Sequence, residues 1–370
     1  MVHVQPARTS SGARAMNLLD RYIAVAVLKG VATVILVLLA VVTSVEFVGQ
    51  LDDVGTARYE LKDALAYVVL RIPRLIFKML PAAALLGALL SLGNLAVHRE
   101  LVVMRVSGVS LVRFVGSVGI AGVVLMAIMA LLGESLAPSL GAYARQLRSQ
   151  ALLESVDISN ARSAWMKDGD RIFNFRRAED GINFGSIFLF ELDANGSLNQ
   201  VARADSAQID AQERWILANY GVTQFGEELI TASTERRSVQ NYNLSLELLG
   251  LSEVREDLLD TQGLTRYIRY LKQNSLDADR YVTAYWARIA DTVAVLLMTV
   301  LALPFVFGAL RSAAAGARLL VGLLIGLGYY VIAEAFVNSG EVFDLNPVVV
   351  AWLPIGVLLV ITSVALLRIR

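Results

Sequence analysis

LPAAALLGALLSLGNLAVHRELVVMRVSG, residues 80–108, passes from an uninterrupted apolar run into a short charged one. Residues 80–97 hold no ionisable side chain. As a helix they would cross most of a bilayer core of about 30 Å, at about 1.5 Å per residue. His98, Arg99, Glu100 and Arg105 then arrive within eight positions, and Gly108 stops the pattern. A chain that leaves an apolar run in this way reads as a membrane span followed by an amphipathic helix on the membrane surface. Glu100, Leu101, Met104 and Gly108 fall at helical spacing, giving a partly apolar face with a carboxylate at its start. Two readings of residues 98–108 stand open from physics alone. The helix docks into a groove on a soluble partner, or it rests at the interface while its arginines snorkel.

Outward from this stretch the same hydropathy recurs. The chain has 370 residues, of which 56% are hydrophobic and 18% charged, far from an ordinary soluble domain. Six spans are expected, near 22–48, 66–96, 111–133, 284–308, 316–337 and 347–367. The first is longer than the apolar core of a signal peptide and is read as a retained span. Arg8, Arg14 and Arg21 precede span one, Arg99, Arg105 and Arg113 follow span two, Arg311 and Arg318 follow span four, and Arg368 and Arg370 close the chain. With six spans these four segments share one side, which the positive-inside rule makes cytoplasmic. The opposite loops are acidic or large. The expected domains are therefore 1–137, with spans one to three and the surface helix, 138–280 outside, and 281–370, with spans four to six. The zero net charge averages over these regions and says nothing about partners.

Residues 138–280 read mostly as strands. DRIFNF and GSIFLFEL are short β-rich runs, DANGS at 193–197 and DAQE at 210–213 are turns, and helical patterns flank the whole. A sandwich or jellyroll-like sheet is the expectation. The two histidines, His3 and His98, both fall on the other side, and there is no cysteine, so His- or Cys-based metal and nucleophile chemistry is excluded there. Asp168 and Asp170 in WMKDGD are read as a turn rather than an acid pair, because Asp-Gly is a strong turn signal. A sheet without chemistry fits a docking surface. No lysine is followed by Ser or Thr, so the phosphate-cradling P-loop is absent, and an ATP-driven process would need a separate subunit.

Span two carries Arg71, Arg74 and Lys78 on one helical face beside Pro73. Cations inside a span face a cavity or a partner, or snorkel to lipid phosphates. Their chemistry suits phosphate groups. Ala83, Gly87 and Ser91 in span two, and Gly322, Gly326 and Gly328 in span five, permit close helix packing. Asp291 and Glu334 fall near the ends of their spans.

NLLDRYI, the 80–108 stretch, GESLAP after span three, LPFVFGALRS after span four, WMKDGD and YIRYLKQNSLDADRY together resemble the permease family of the lipopolysaccharide-export ABC transporter, the LptF/LptG family. The likeness runs from about Met16 to the C-terminus and is greater to the G-type subunit; residues 1–15 have no counterpart. The resemblance implies a polytopic α-helical fold with six transmembrane helices and a periplasmic β-jellyroll-like domain. It implies a second permease, LptF, an ATPase dimer, LptB, the bitopic partner LptC, and lipopolysaccharide as substrate. No cofactor is expected in this chain, since ATP and Mg belong to the ATPase, and no nucleic acid is involved. Residues 98–108 become the coupling helix, with Arg99, Glu100, Leu101, Met104, Arg105 and Gly108 as its contact residues. Arg74 takes the place of a substrate-binding cation, with Arg71 and Lys78 beside it, and Gly322, Gly326 and Gly328 fall on a lateral gate between span five and span one of the other permease. One departure stands out. Some members carry lysines at the outer end of span one, where this chain has Glu46, Asp52 and Asp53. These acids would repel lipid A phosphates or pair with the span-two cations. The alternatives are the F-type subunit, a secondary transporter or membrane enzyme built on mid-span titratable groups, and an envelope-sensing membrane protein.

Overall fold

The computed structural model describes residues 18–153, 163–177, 183–193, 195–210, 214–226, 229–242, 259–308 and 314–368. Among them six helices are long and apolar enough to cross a membrane. The first is α1 (Leu18–Leu51) and the second α2 (Leu61–Val97). The short α3 (Glu100–Val106) follows, then α4 (Leu111–Leu131), a π-helical turn (Leu132–Leu136) and α5 (Ala137–Leu153), which run on as one rod. After the β domain come α6 (Thr261–Gln273), α7 (Asp279–Phe307), α8 (Ala315–Val342) and α9 (Pro347–Leu367). The six expected spans are all present, most of them with longer ends. The second of them starts in a polar turn that caps it. Glu60 and Asp63 form a reciprocal capping box at the start of α2. The positions of Arg8, Arg14, His3, Arg311, Arg370 and the DAQE turn fall wholly or partly outside the described residues.

α2 is the hub of the bundle. It packs on α1, α5, α7 and α8, and its middle is buried on nearly every side. Small residues make this possible. A Cβ at Gly87 would lie 2.4 Å from the Val31 backbone, and one at Gly30 would meet Ser91 and the Gly87 carbonyl, so α1 and α2 cross with their backbones almost touching. The common core gathers Leu85, Leu89 and Leu92 of α2 with Val27 of α1, Phe114 of α4 and Met298 of α7.

Between α5 and α6 lies a seven-stranded antiparallel sheet of β1 (Ser163–Asp168), β2 (Arg171–Arg177), β3 (Asn183–Leu192), β4 (Leu198–Ala204), β5 (Ser206–Ile209), β6 (Trp215–Phe225) and β7 (Ile230–Gln240). The order is β1-β2-β3-β4-β6-β5, with β7 on β6 and β3 pairing β5 as well as β4. Because β3 and β6 each serve more than two neighbours, the sheet curls on itself, in the jellyroll-like manner expected. Its inner face holds Trp215, Phe173 and Phe175, all 1% exposed or less. The apolar stripe of α6 closes the open side with Leu264, Tyr267, Tyr270 and Leu271. WMKDGD is a hairpin turn, as read. Gly169, at φ +60°, and Asp170 form a two-residue loop, and Asn274 of the α6 end accepts from the Gly169 N–H at 2.7 Å. The Tyr270 hydroxyl donates to the Lys167 carbonyl at 2.9 Å and accepts from its N–H at 3.0 Å.

Candidate functional site

A cavity of about 570 Å³ opens among α1, α2, α7, α8 and α9. Two backbone irregularities make room for it. Pro73 and Pro81 sit inside α2, where each removes a helical hydrogen bond. Across from them the π turn bulges at Gly133, against which the Phe77 ring packs so closely that a Cβ there would lie 2.5 Å from Phe77 Cε2. The walls are apolar, with Leu38 and Val42 of α1, Leu323 and Leu327 of α8, and Pro354 of α9 among them. Three cations and two carboxylates reach this apolar space: Arg74 and Lys78 from α2, Arg288 and Asp291 from α7, and Glu334 from α8. Arg288 and Asp291 come in the first half of α7, the half nearer the β domain and α6, so the charged part of the cavity lies on the β-domain side. Arg288 donates to the Leu259 carbonyl at 2.7 Å through Nη2, while its buried Nη1 has no hydrogen-bond partner among the described residues.

The structure separates the three cations of α2. Arg74 and Lys78 line the cavity, whereas Arg71 does not. Arg71 forms a salt bridge with Glu46 of α1, and its guanidinium lies 5.3 Å from the Tyr67 ring centroid. Shared helical phase puts all three on one face, but α1 crosses that face at Arg71 and presents an acid to it. Two of the acids at the α1 end, Glu46 and Asp53, thus pair with bases of their own chain. Glu46 takes Arg71, and Asp53 takes Arg148 of α5. Beside them Tyr59 is 1% exposed, and its burial pushes the phenol up while Arg148 pulls it down. Neither Arg288 nor the pairing of Asp291 with this cavity was legible from span two. Both arrive from an element some two hundred residues away in sequence.

At the other end of the bundle, α3 closes with a Schellman motif. The Val109 N–H reaches the Met104 carbonyl and the Gly108 N–H the Arg105 carbonyl, both at 3.1 Å, with Gly108 at φ +92°. This answers why the surface helix stops at Gly108. Within the chain, α3 has one face turned inward. Leu101 is 1% exposed and Met104 half-buried, and both pack into the chain's own core. Arg105 stacks over the Phe307 ring at 5.4 Å. The face turned outward instead carries Val102, Val103 and Val106, which are 39, 62 and 83% exposed, with Arg99 beside them. Glu100 accepts a hydrogen bond from the Tyr22 hydroxyl at 2.7 Å.

Two of the three glycines expected at a gate, Gly322 and Gly326, pack within the chain. A Cβ at Gly322 would lie 2.7 Å from Leu89 Cδ1, and one at Gly326 would lie 2.9 Å from the Ala82 Cβ. Both seat α8 on α2 within the chain, and around Gly328 there is open space. The outward surface of α8 is made by Leu320, Leu324, Val331 and Ile332.

The family model described as lipopolysaccharide export system permease LptF/LptG matches residues 21–368. The chain is 31% identical over 354 residues to the lipopolysaccharide export system permease protein LptG of Escherichia coli strain K12, covering 95% of this chain and 98% of that protein. It is 30% identical over 340 residues to the protein of the same name from Haemophilus influenzae, covering 92% and 95%.

Proposed function

The chain belongs to the lipopolysaccharide export system permease LptF/LptG family, and from that premise we propose that it is the G-type permease subunit of an ABC transporter. It extracts lipopolysaccharide from the outer leaflet of the inner membrane and passes it to a periplasmic bridge. Both relatives named above carry the G-type name, which favours this subunit over the F type.

The observation that carries the reading is the cavity. Lipopolysaccharide joins phosphates to acyl chains, and the cavity joins Arg74, Lys78 and Arg288 to apolar walls. In a medium depleted of water, phosphate oxygens gain charge-assisted hydrogen bonds from guanidinium and ammonium groups. The acyl chains gain only burial, which scales with apolar area and needs no specific partner. Asp291 and Glu334 offset part of the cationic charge. An anionic headgroup therefore exchanges one set of charge partners for another, which favours passage over permanent retention.

The β domain is periplasmic and the α3 end cytoplasmic, since the arginine-rich segments gather at the α3 end. There the Val102, Val103 and Val106 face of α3 docks on an ATPase of the LptB type, which binds ATP and Mg. This chain performs no hydrolysis itself. A second permease, LptF, completes the cavity, and LptC joins at the periplasmic side. Membrane lipid surrounds the rest.

The test is reconstitution. The chain is co-purified with its neighbouring permease and ATPase, placed in proteoliposomes with lipopolysaccharide, and supplied with ATP and a periplasmic acceptor. ATP-dependent transfer of lipopolysaccharide is the expected result. A complex that hydrolyses ATP without moving lipopolysaccharide, or a chain that retains neither partner, overturns the reading.

A further inference from the structure

Phosphates and acyl chains leave two groups of the cavity without a ligand of their own. Asp291 of α7 and Glu334 of α8 line it together with Arg74, Lys78 and Arg288. Asp291 is half-buried and Glu334 exposed. Among the described residues neither carboxylate accepts a hydrogen bond or forms a salt bridge. This sets them apart from Glu46 and Asp53 at the α1 end, which are held by Arg71 and Arg148. An ionised group within a span is costly and faces a cavity or a partner. Charge balance alone would be served best by closed ion pairs with the cavity's cations. The structure instead keeps cations and carboxylates on adjoining walls. Arg74 and Lys78 come from α2, Arg288 and Asp291 stand one turn apart on α7, and Glu334 comes from α8.

We infer that Asp291 and Glu334 form a subsite for an ammonium group, and that the cavity is suited to lipopolysaccharide whose phosphates carry an amine-bearing substituent. The inference rests on the transport reading above and narrows its substrate class. A phosphate esterified through a short linker to an amine places a cation beside an anion, as the cavity walls do in reverse. The phosphate oxygens take the guanidinium and ammonium donors of the cationic walls. The substrate's ammonium has three donors and no acceptor, so it takes the two carboxylates. A divalent metal fits the same acids less well. Magnesium and calcium gather about six to eight oxygen ligands, and two carboxylates beside three cations supply too few. No group of three acidic or histidine side chains able to hold a metal occurs among the described residues.

The test compares two probes on the complex reconstituted with the partner permease and ATPase. One is lipopolysaccharide with unsubstituted phosphates, and the other is the same lipopolysaccharide with its phosphates esterified by ethanolamine. A photoreactive residue in place of Leu323, which lines the cavity, reports binding of each without nucleotide and with EDTA present. The parent should crosslink the ethanolamine form about tenfold better, the order expected for one charge-assisted contact. Asp291→Asn and Glu334→Gln should each bring that ratio towards one from both sides. The ethanolamine form should crosslink less and the unsubstituted form more, because the cavity becomes more cationic. A damaged fold lowers both probes and raises neither. Asp291→Glu keeps the charge and should keep the preference. Equal crosslinking of the two forms by the parent, an unaltered ratio in both neutral variants, or a joint loss of both probes overturns the ammonium subsite. A preference that appears only when magnesium replaces EDTA assigns the acids to a metal and overturns it as well. ATP-dependent release, read separately in the parent, distinguishes the two levels. Release of neither form overturns the transport reading itself, whereas release of both forms without preference in crosslinking overturns the subsite alone.

Discussion

Arg74 and Lys78 sit one helical turn apart on α2 and reach the same cavity, while Arg71, one turn earlier, is held by Glu46. This partition assigns different consequences to substitutions of similar type. A cation–phosphate contact is worth about 1.5–3 kcal/mol when charge-assisted, and about 1.4 kcal/mol is tenfold in affinity. Arg74→Glu should therefore lower crosslinking of lipopolysaccharide to the cavity about tenfold or more, with complex assembly and basal ATP hydrolysis unchanged. Arg74→Lys should be milder, because it keeps the charge and loses the planar fork. Crosslinking at the parent level in Arg74→Glu would place the phosphate site elsewhere. The cations of α2 were visible in the sequence because charge within an apolar run is conspicuous. Their division was not, because it depends on which residue of α1 lies opposite each one.

Two elements make predictions through their backbones. The α2–α8 seam is closed at Gly326, where a Cβ would lie 2.9 Å from the Ala82 Cβ, and open at Gly328. Gly326→Leu should lower the thermal midpoint in detergent, at a cost of about 1–3 kcal/mol for overpacking, whereas Gly328→Leu should be tolerated. Equal midpoints for the two variants would mean that α8 does not seat on α2 through this face. The Schellman end of α3 needs φ +92° at Gly108, a conformation a β-branched residue resists at a cost of about 1–3 kcal/mol. Gly108→Val should leave membrane insertion intact and weaken retention of the ATPase in pull-down. Undiminished retention would show that the docking face survives without its cap. The glycine at 108 was readable as a helix stop from the sequence. The inward turn of Leu101 and Met104 was not, since a seven-residue amphipathic helix has apolar groups on more than one side and only the neighbouring elements select which is buried.

For the whole molecule the decisive test is topological. The chain has no cysteine, so single introduced thiols report without background. Ser197 lies in the turn before β4 and Ser107 at the end of α3, and both are exposed. Ser197→Cys should label in intact spheroplasts with a membrane-impermeant reagent, and Ser107→Cys only after permeabilisation. The reverse pattern would invert the proposed orientation. Six spans, a strand-rich insertion between the third and fourth, the WMKDGD turn and the stop at Gly108 follow from the sequence by itself. Each is written in a local pattern: a run of apolar residues as long as a bilayer is thick, an alternation of period two, a glycine where φ must be positive. The cavity, the Arg71–Glu46 and Tyr22–Glu100 pairs, and the seating of Gly322 and Gly326 on α2 were decided only by the tertiary structure. They join residues from 25 to over 250 positions apart, and local periodicity fixes the face on which a side chain stands but not which helix crosses that face or at what height.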